Sequence, residues 1–450
     1  MHATGFSNNF NNLYKSLPQA SALSSAERGE VRRGLYLSLL FTFIKVGAFT
    51  LGGGYAMVPI MQKEVVDKHH WLTEEEFLNI LAVSQSMPGL FAMNMASHIG
   101  YKLRRLPGGI ISTIGVALPS ILIILLIAMF FQSFKENKWV ENAFRAIRPA
   151  VVALIAAPCF SMARSAHINR RNIWIPILAC LLIAGFHLSP IWIILIAGLG
   201  GFFYGKWKTH PSSEASTQSS AERTSTQSSA EQTSSGRKLH TFTFIPLLFL
   251  PLIVNLVRGS IFVKLFLVFS KIGIFNFGGG YAMLSLIHNE VVVKNQWMSS
   301  AEFTDIVAIS QSTPGPIGIN CATYVGYTAV IHEHLPVWAG VIGSLIATLS
   351  VIWLPFLLML LVSRFLIRHH QSKAVADVFS ALRPAIIGLI AAAALLLMSK
   401  ENFSSPTDSP FAFIVSIIIF CFSFIGTRLY KIHPILMIIL CGIAGLFIYS

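Results

Sequence analysis

The stretch FIKVGAFTLGGGYAM, Phe43 to Met57, returns as FSKIGIFNFGGGYAM, Phe269 to Met283. The match continues without a gap to Tyr101 and Tyr327 at an offset of 226 residues, and 28 of the 59 aligned positions are identical. A repeat of this length takes precedence over the assignment of elements. The chain is two versions of one unit, and its function is expected where the two meet. The shared residues fall in two runs, GGGYAM (Gly52 to Met57, Gly278 to Met283) and QSxPG (Gln85 to Gly89, Gln311 to Gly315). Lys45/Lys271, Glu64/Glu290, Trp71/Trp297, Asn94/Asn320 and Gly100-Tyr101/Gly326-Tyr327 recur at the same offset.

Hydrophobic residues make up 54% of the 450 and charged residues only 12%, more apolar surface than one soluble core could hide. The chain reads as an all-α polytopic membrane protein. Its formal charge of +14 does not point to nucleic acid. The basic residues sit between and at the ends of apolar runs, as contact with an inner leaflet requires. The five cysteines lie in or beside apolar segments without metal-ligand spacing and read as small buried hydrophobes. No cofactor or metal is expected. The polar start has no hydrophobic signal core, so no leader should be cleaved from it.

The domain plan is a polar cytoplasmic N-terminus (1–34), a first six-segment unit (35–205), a disordered Ser/Thr/Gln linker (206–240), an extra segment (241–258) and a second six-segment unit (259–450). The linker writes STQSSAE twice and cannot bury enough surface to offset its ordering entropy. If the uncharged run Phe242 to Val257 crosses, the total is about 13 transmembrane segments and the second unit enters the membrane inverted. Basic residues support inversion: the loop of Lys102, Arg104 and Arg105 has a counterpart without Lys or Arg, whereas Arg364, Arg368 and Lys373 mark the reverse loop. The positive-inside rule then puts the N-terminus in the cytoplasm and the C-terminus outside, in the inner (plasma) membrane.

Both motifs should break helices at membrane depth, which is tolerated only in a protein-lined cavity. The Gly-Gly-Gly runs Gly52-Gly53-Gly54 and Gly278-Gly279-Gly280 remove side chains, while Pro88-Gly89 and Pro314-Gly315 start fresh half-helices. Interruptions at equivalent places in inverted halves point to a transporter's central site, and half-helix N-termini favour an anion there. Gln85, Ser86, Leu90 (through its amide) and Asn94, with Gln311, Ser312 and Asn320, are the hydrogen-bonding candidates beside the glycines. Lys45 and Lys271, seven residues before each glycine run, are either counter-charges for the anion or partners of Glu64 and Glu290. Those glutamates, with His98, are the candidates for proton coupling. Arg148-Pro149 and Arg383-Pro384 form another duplicated pair, functional or a loop anchor, and Glu74 to Glu76 read as a surface helix cap.

The order FxKxGxFxxGGGYAM, W-x5-F, QSxPGxxxxNxA and GY resembles the chromate ion transporter family, once in each half. The resemblance implies a secondary transporter that exports the tetrahedral oxyanion chromate, a mimic of sulfate, built like a fusion of two single-domain members. The halves differ at Leu51/Phe277 and Leu90/Pro316. Expected partners are a small inorganic oxyanion and membrane lipids, with at most a second copy of the chain. The competing readings are transport of a different anion and a membrane enzyme or lipid-handling protein acting on phosphate, for which no nucleophile or acid-base pair is evident.

Overall fold

The computed structural model describes residues 25–50, 57–134, 137–165, 168–169, 172–186, 188–208, 260–277, 280–369 and 373–450. The polar start, nearly all of the linker, the run at 242–257 and five of the six motif glycines (Gly52 to Gly54, Gly278, Gly279) lie outside the described residues.

The first half contains α1 (Ser25–Phe49), α2 (Met57–Gln62) running into a π-helical turn (Lys63–Lys68), α3 (Glu74–Ser86), α4 (Phe91–Phe134), α5 (Lys138–Ser165), α6 (Trp174–Ala184) and α7 (Pro190–Lys208). The second contains α8 (Ile261–Ile274), α9 (Gly280–His288) with its π turn (Asn289–Lys294), α10 (Ser300–Ser312), α11 (Ile317–His332), α12 (Val337–His369), α13 (Lys373–Leu397), a short α14 (Lys400–Phe403), α15 (Pro410–Arg428) and α16 (Pro434–Ile448). The 226-residue offset maps the first π turn onto the second and α3 onto α10 residue for residue.

Local chemistry fixes several boundaries. Thr73 caps α3 through the Glu76 amide while Glu76 returns a bond to the Thr73 amide, a capping box that fulfils the surface-cap reading. Ser299 caps α10 in the same way through the Glu302 amide. Within α4, Arg104 and Arg105 leave helical dihedrals, Arg105 with φ 53°, so α4 is two legs that correspond to α11 and α12.

Among the described residues, five helices are long and apolar enough to cross a bilayer, at Phe91–Phe131, Lys138–Ala163, Val337–Leu361, Asp377–Leu397 and Pro410–Arg428. Exposed Ile110, Ile114, Leu118, Leu122, Leu126 and Phe130 stand four apart along α4, and Leu345, Leu349, Trp353, Leu357 and Leu361 do so along α12. Such stripes, left uncovered by protein, are surfaces for lipid.

The halves are interlocked. The α6–α7 hairpin packs on α13 of the second half, and the α15–α16 hairpin packs on α5 of the first. Small residues permit both crossings: a Cβ on Gly201 of α7 would strike Asp377, Val378 and Ala381, and one on Gly445 of α16 would strike Asn142, Ala143 and Ala146. Helices α4, α5, α11, α12 and α13 form the centre between the halves.

Candidate functional site

The two Pro-Gly breaks meet the ends of the opposite half's first helix. The Gly89 amide donates to the Asn276 carbonyl at 2.7 Å, and the Gly315 amide donates to the Thr50 carbonyl at 2.8 Å. Thr50 follows α1 and Asn276 lies just past α8, so each acceptor is a helix-end carbonyl without an intrahelical partner. Both glycines hold positive φ, 109° and 100°, a region that side-chain-bearing residues avoid. A Cβ there would meet Pro355 of α12 at Gly89 and Ser120 of α4 at Gly315. The pairing is symmetric in backbone but not in side chain. Asn276 adds a bond from Nδ2 to the Gly89 carbonyl (3.1 Å), whereas the Thr50 hydroxyl turns back to the Val46 carbonyl (2.6 Å).

Asn94 and Asn320 do not present free amides. The Nδ2 of Asn94 donates to the Pro88 carbonyl at 3.0 Å, and that of Asn320 reaches the carbonyls of Ser310 and Pro314 and the Thr313 hydroxyl. Ser120 from the first half donates to Asn320 Oδ1. Each Asn therefore braces the turn rather than waiting for an anion, because a buried carboxamide must find partners locally. Ser312 is likewise bonded to the Ala308 carbonyl (3.0 Å); the side chain of Ser86 lies outside the described residues. The glutamines diverge. Gln85 is exposed, whereas Gln311 is fully buried and neither of its amide atoms has a hydrogen-bond partner among the described residues. Leu90 is buried and precedes the first turn of α4, in the position that Pro316 takes before α11. Beside it a small cleft between the halves is lined by Leu90, Met93, Asn94, Ser97 and Thr113 of the first and Val351, Ile352, Pro355 and Phe356 of the second.

The lysines are neither buried nor unpaired. The Lys45 side chain is 48% exposed and its Nζ lies 2.5 Å from Glu64 Oε1, while Lys68 reaches Glu64 Oε2 at 3.1 Å. In the second half Lys271, 39% exposed, and Lys294 reach Glu290 Oε1 at 2.8 and 2.7 Å. Both glutamates are buried. Burial alone would raise the Glu64 pKa, but hydrogen bonds from Lys45 and Lys68 outweigh it and hold the carboxyl below its ordinary value. Each half thus has a buried carboxylate between two lysines with one positive charge left over, facing open space. The π turns place Glu and the second Lys four residues apart on one face. That i, i+4 pair is present in both copies and was the sequence signal for Lys68 and Lys294, which the motif reading missed. His98 is buried with Nδ1 unpaired among the described residues.

The Arg-Pro pairs differ between halves. Arg148 makes a two-pronged ion pair across the halves, Nε to Asp305 Oδ1 at 2.7 Å and Nη2 to Oδ2 at 2.8 Å. Its counterpart Arg383 is exposed, and Asn79 stands where the second half has Asp305.

A chromate transporter family model matches residues 37–202 and 263–446, one match in each half. The chain belongs to the chromate transporter family. It is 27% identical over 411 residues to an uncharacterised transporter of Methanocaldococcus jannaschii, covering 90% of this chain and 92% of that one. It is 23% identical over 370 residues to a chromate transport protein of Cupriavidus metallidurans (82% and 84%) and 25% identical over 420 residues to one of Pseudomonas aeruginosa (92% of each). No solved structure matches the chain. Membership in this family, together with apolar helices of spanning length, makes the chain a membrane-embedded protein of an ion-transporting family.

Proposed function

We propose that the chain is a secondary active transporter of a tetrahedral oxyanion, chromate by export with sulfate as the related anion, in the inner membrane with its N-terminus in the cytoplasm and its halves in inverted repeat. The observation that carries this reading is the reciprocal pairing of Gly89 with Asn276 and Gly315 with Thr50, which brings interrupted helices from both halves to one place. Helix breaks in such a place supply backbone donors where lipid could supply none.

The anion approaches Lys45 or Lys271 and competes with Glu64 or Glu290 for the ammonium group. Because the carboxylate is displaced rather than absent, the lysine is never left as an isolated charge, and release only requires the carboxylate to return. The buried Gln311 amide, without a partner among the described residues, supplies a neutral donor at the second break, and Leu90 keeps a backbone amide that Pro316 lacks. The glycine runs permit close approach of the anion to the backbone. Glu64 and Glu290 thus serve as exchangeable counter-ions, and Lys45 and Lys68, which hold Glu64 in its ionised form, make it a poor carrier of the coupled proton. Flux of labelled chromate and labelled sulfate into vesicles containing the full chain, with pH and membrane potential varied separately, tests the reading. Flux of neither anion above empty vesicles overturns it.

A further inference from the structure

Lys45 and Glu64 are 19 residues apart, yet their charged atoms meet at 2.5 Å, as those of Lys271 and Glu290 meet at 2.8 Å. A helix continued across that interval would hold them about 28 Å apart. Further from the break Thr42 meets His69 at 3.2 Å, so α1 and α2 run antiparallel. The chain reverses at the Pro-Gly breaks too. Ser310 of α10 meets Cys321 of α11 at 3.5 Å, and at the far ends of these helices His332 Nδ1 lies 2.9 Å from the Trp297 carbonyl, 35 residues away. In the first half Glu76, in the first turn of α3, pairs at 2.5 Å with Lys102, near the end of the first leg of α4. Each Pro-Gly break is therefore the tip of a helical hairpin whose two ends share one base.

The second leg of α4 relates the two bases. It starts beside the first base, where a Cβ on Gly100 or Gly108 would strike the other's carbonyl. Midway, Ser120 packs on Gly315 and bonds to Asn320 at the tip of the α10–α11 hairpin. Near its end the Phe131 ring stands 6.3 Å from that of Tyr324, further down α11 towards the second base. Gly108 to Phe131 is about 35 Å of helix, enough to cross a hydrocarbon core of about 30 Å. Helix α12 runs the reverse course: Gly343 lies against Gly326, Pro355 against Gly89, and Met359 clusters with Val83 and Met87 beside the first hairpin. The end of α12, with Arg364 and Arg368, thus comes to the face that holds Lys102, Arg104 and Arg105.

We infer that α1–α2 and α3 with the first leg of α4 are re-entrant hairpins from one face of the membrane, and α8–α9 and α10–α11 from the other. The Lys45, Glu64 and Lys68 cluster then receives the anion from one face only, and the Lys271, Glu290 and Lys294 cluster from the opposite face. For its ligand the inference rests on the oxyanion-transport reading. Lys68 and Lys294 end the π turns, and the short links to α3 (69–73) and α10 (295–299) keep both hairpins of a half on one face. The basic residues at the first base make that face cytoplasmic. Lipid cannot satisfy a hairpin tip, and here the breaks satisfy each other through Gly89 with Asn276 and Gly315 with Thr50. The crossings expected at the breaks, two in each half, become returns, which leaves the sides of the linker and of the C-terminus unchanged.

Labelling of the full chain by a membrane-impermeant maleimide, in vesicles of each orientation, decides the hairpins without transport. Glu75→Cys and Lys102→Cys, at exposed positions, should label from the same face, and Ser299→Cys and Glu333→Cys from the opposite one, above the background of the five native cysteines in wild type. Labelling of Glu75→Cys and Lys102→Cys from opposite faces overturns the inference; should either not reach the membrane, the Ser299→Cys and Glu333→Cys pair decides in the same way. Flux of labelled chromate or sulfate decides the clusters. Lys68→Gln should raise the half-saturating anion concentration about two- to fivefold, the weight of an exposed charge contact, at the face where Glu75→Cys labels, and Lys294→Gln at the other. Both lysine variants acting at one face, at both faces alike or at neither overturns the assignment. A wild type that moves neither anion removes the transport reading and the clusters' ligand with it, while the labelling still decides the hairpins.

Discussion

The amide of Gly89 is bonded to the carbonyl of Asn276, 187 residues further along the chain. With its twin from Gly315 to Thr50, this bond makes each half complete the helix end of the other. Gly89→Ala and Gly315→Ala should each abolish transport, since the added methyl meets Pro355 or Ser120 and the φ is wrong for alanine. The backbone cost alone is on the order of 1–3 kcal/mol. Melting of purified protein by intrinsic fluorescence, beside flux, checks this; an alanine variant as stable and active as wild type would mean the breaks are not held as described.

Lys45→Ala and Lys271→Ala should remove anion transport while the protein still reaches the membrane, and Lys→Arg should rescue poorly because a planar guanidinium does not replace a compact ammonium. Glu64→Gln should tighten equilibrium anion binding by freeing a lysine, and calorimetry reads the change directly. The lock has a pH signature. Since the Glu64 pKa is depressed below 4.5, its contribution to stability is complete above that value and is lost as pH falls through the lowered folded-state value. Melting temperature of wild type compared with Glu64→Gln should therefore converge only in acid.

Arg148→Ala leaves Asp305 as a buried charge without its cross-half partner and should cost about 3–5 kcal/mol. Arg383→Ala, at an exposed site, should stay within about 0.5 kcal/mol. Equal effects on thermal unfolding would contradict the asymmetry of the two Arg-Pro pairs.

Leu90→Pro deletes an amide that Pro316 already lacks. If that amide contacts the anion, affinity should fall by about tenfold to a hundredfold, the weight of one bond to a charged group, and Pro316→Leu should leave it equal or tighter. Two bound anions per chain, or equal losses from both variants, would refute a single asymmetric site.

Reporters fused at Ser216 and after Ser450 should lie on opposite sides of the membrane, inside and outside. Signals from one side only would exclude inversion.

Much of this architecture was legible because duplication writes the same instructions twice: the π turns, α3 and α10, and the Lys-Glu pairs all follow one offset. What was not legible depends on contacts between halves. Asn94 and Asn320 look like free donors in sequence and become braces only once Pro88 and Pro314 fold back onto them. For Lys45 and Lys271 the sequence left two roles open, because position along a helix says nothing about which face is covered or that Glu64 and Glu290 fold back onto them. Gln85 and Gln311 stand in the same motif, and only the different packing of α3 and α10 leaves one in the open and seals the other. Nor could spacing show that Thr50 and Asn276, unremarkable beside the glycine run, accept the bonds that join the halves.

The exchange of the α6–α7 and α15–α16 hairpins bears on how the molecule is made. As the ribosome delivers the first half, its hairpin lacks the α13 surface it packs on until Lys373–Leu397 emerges, and α5 stays partly bare until α15 and α16 are inserted. Maturation of the first half therefore waits for α13, α15 and α16 of the second. Truncation after α13 should yield a chain that inserts and is then degraded, and two halves supplied as separate polypeptides should each survive only when the other is co-expressed in equal amount.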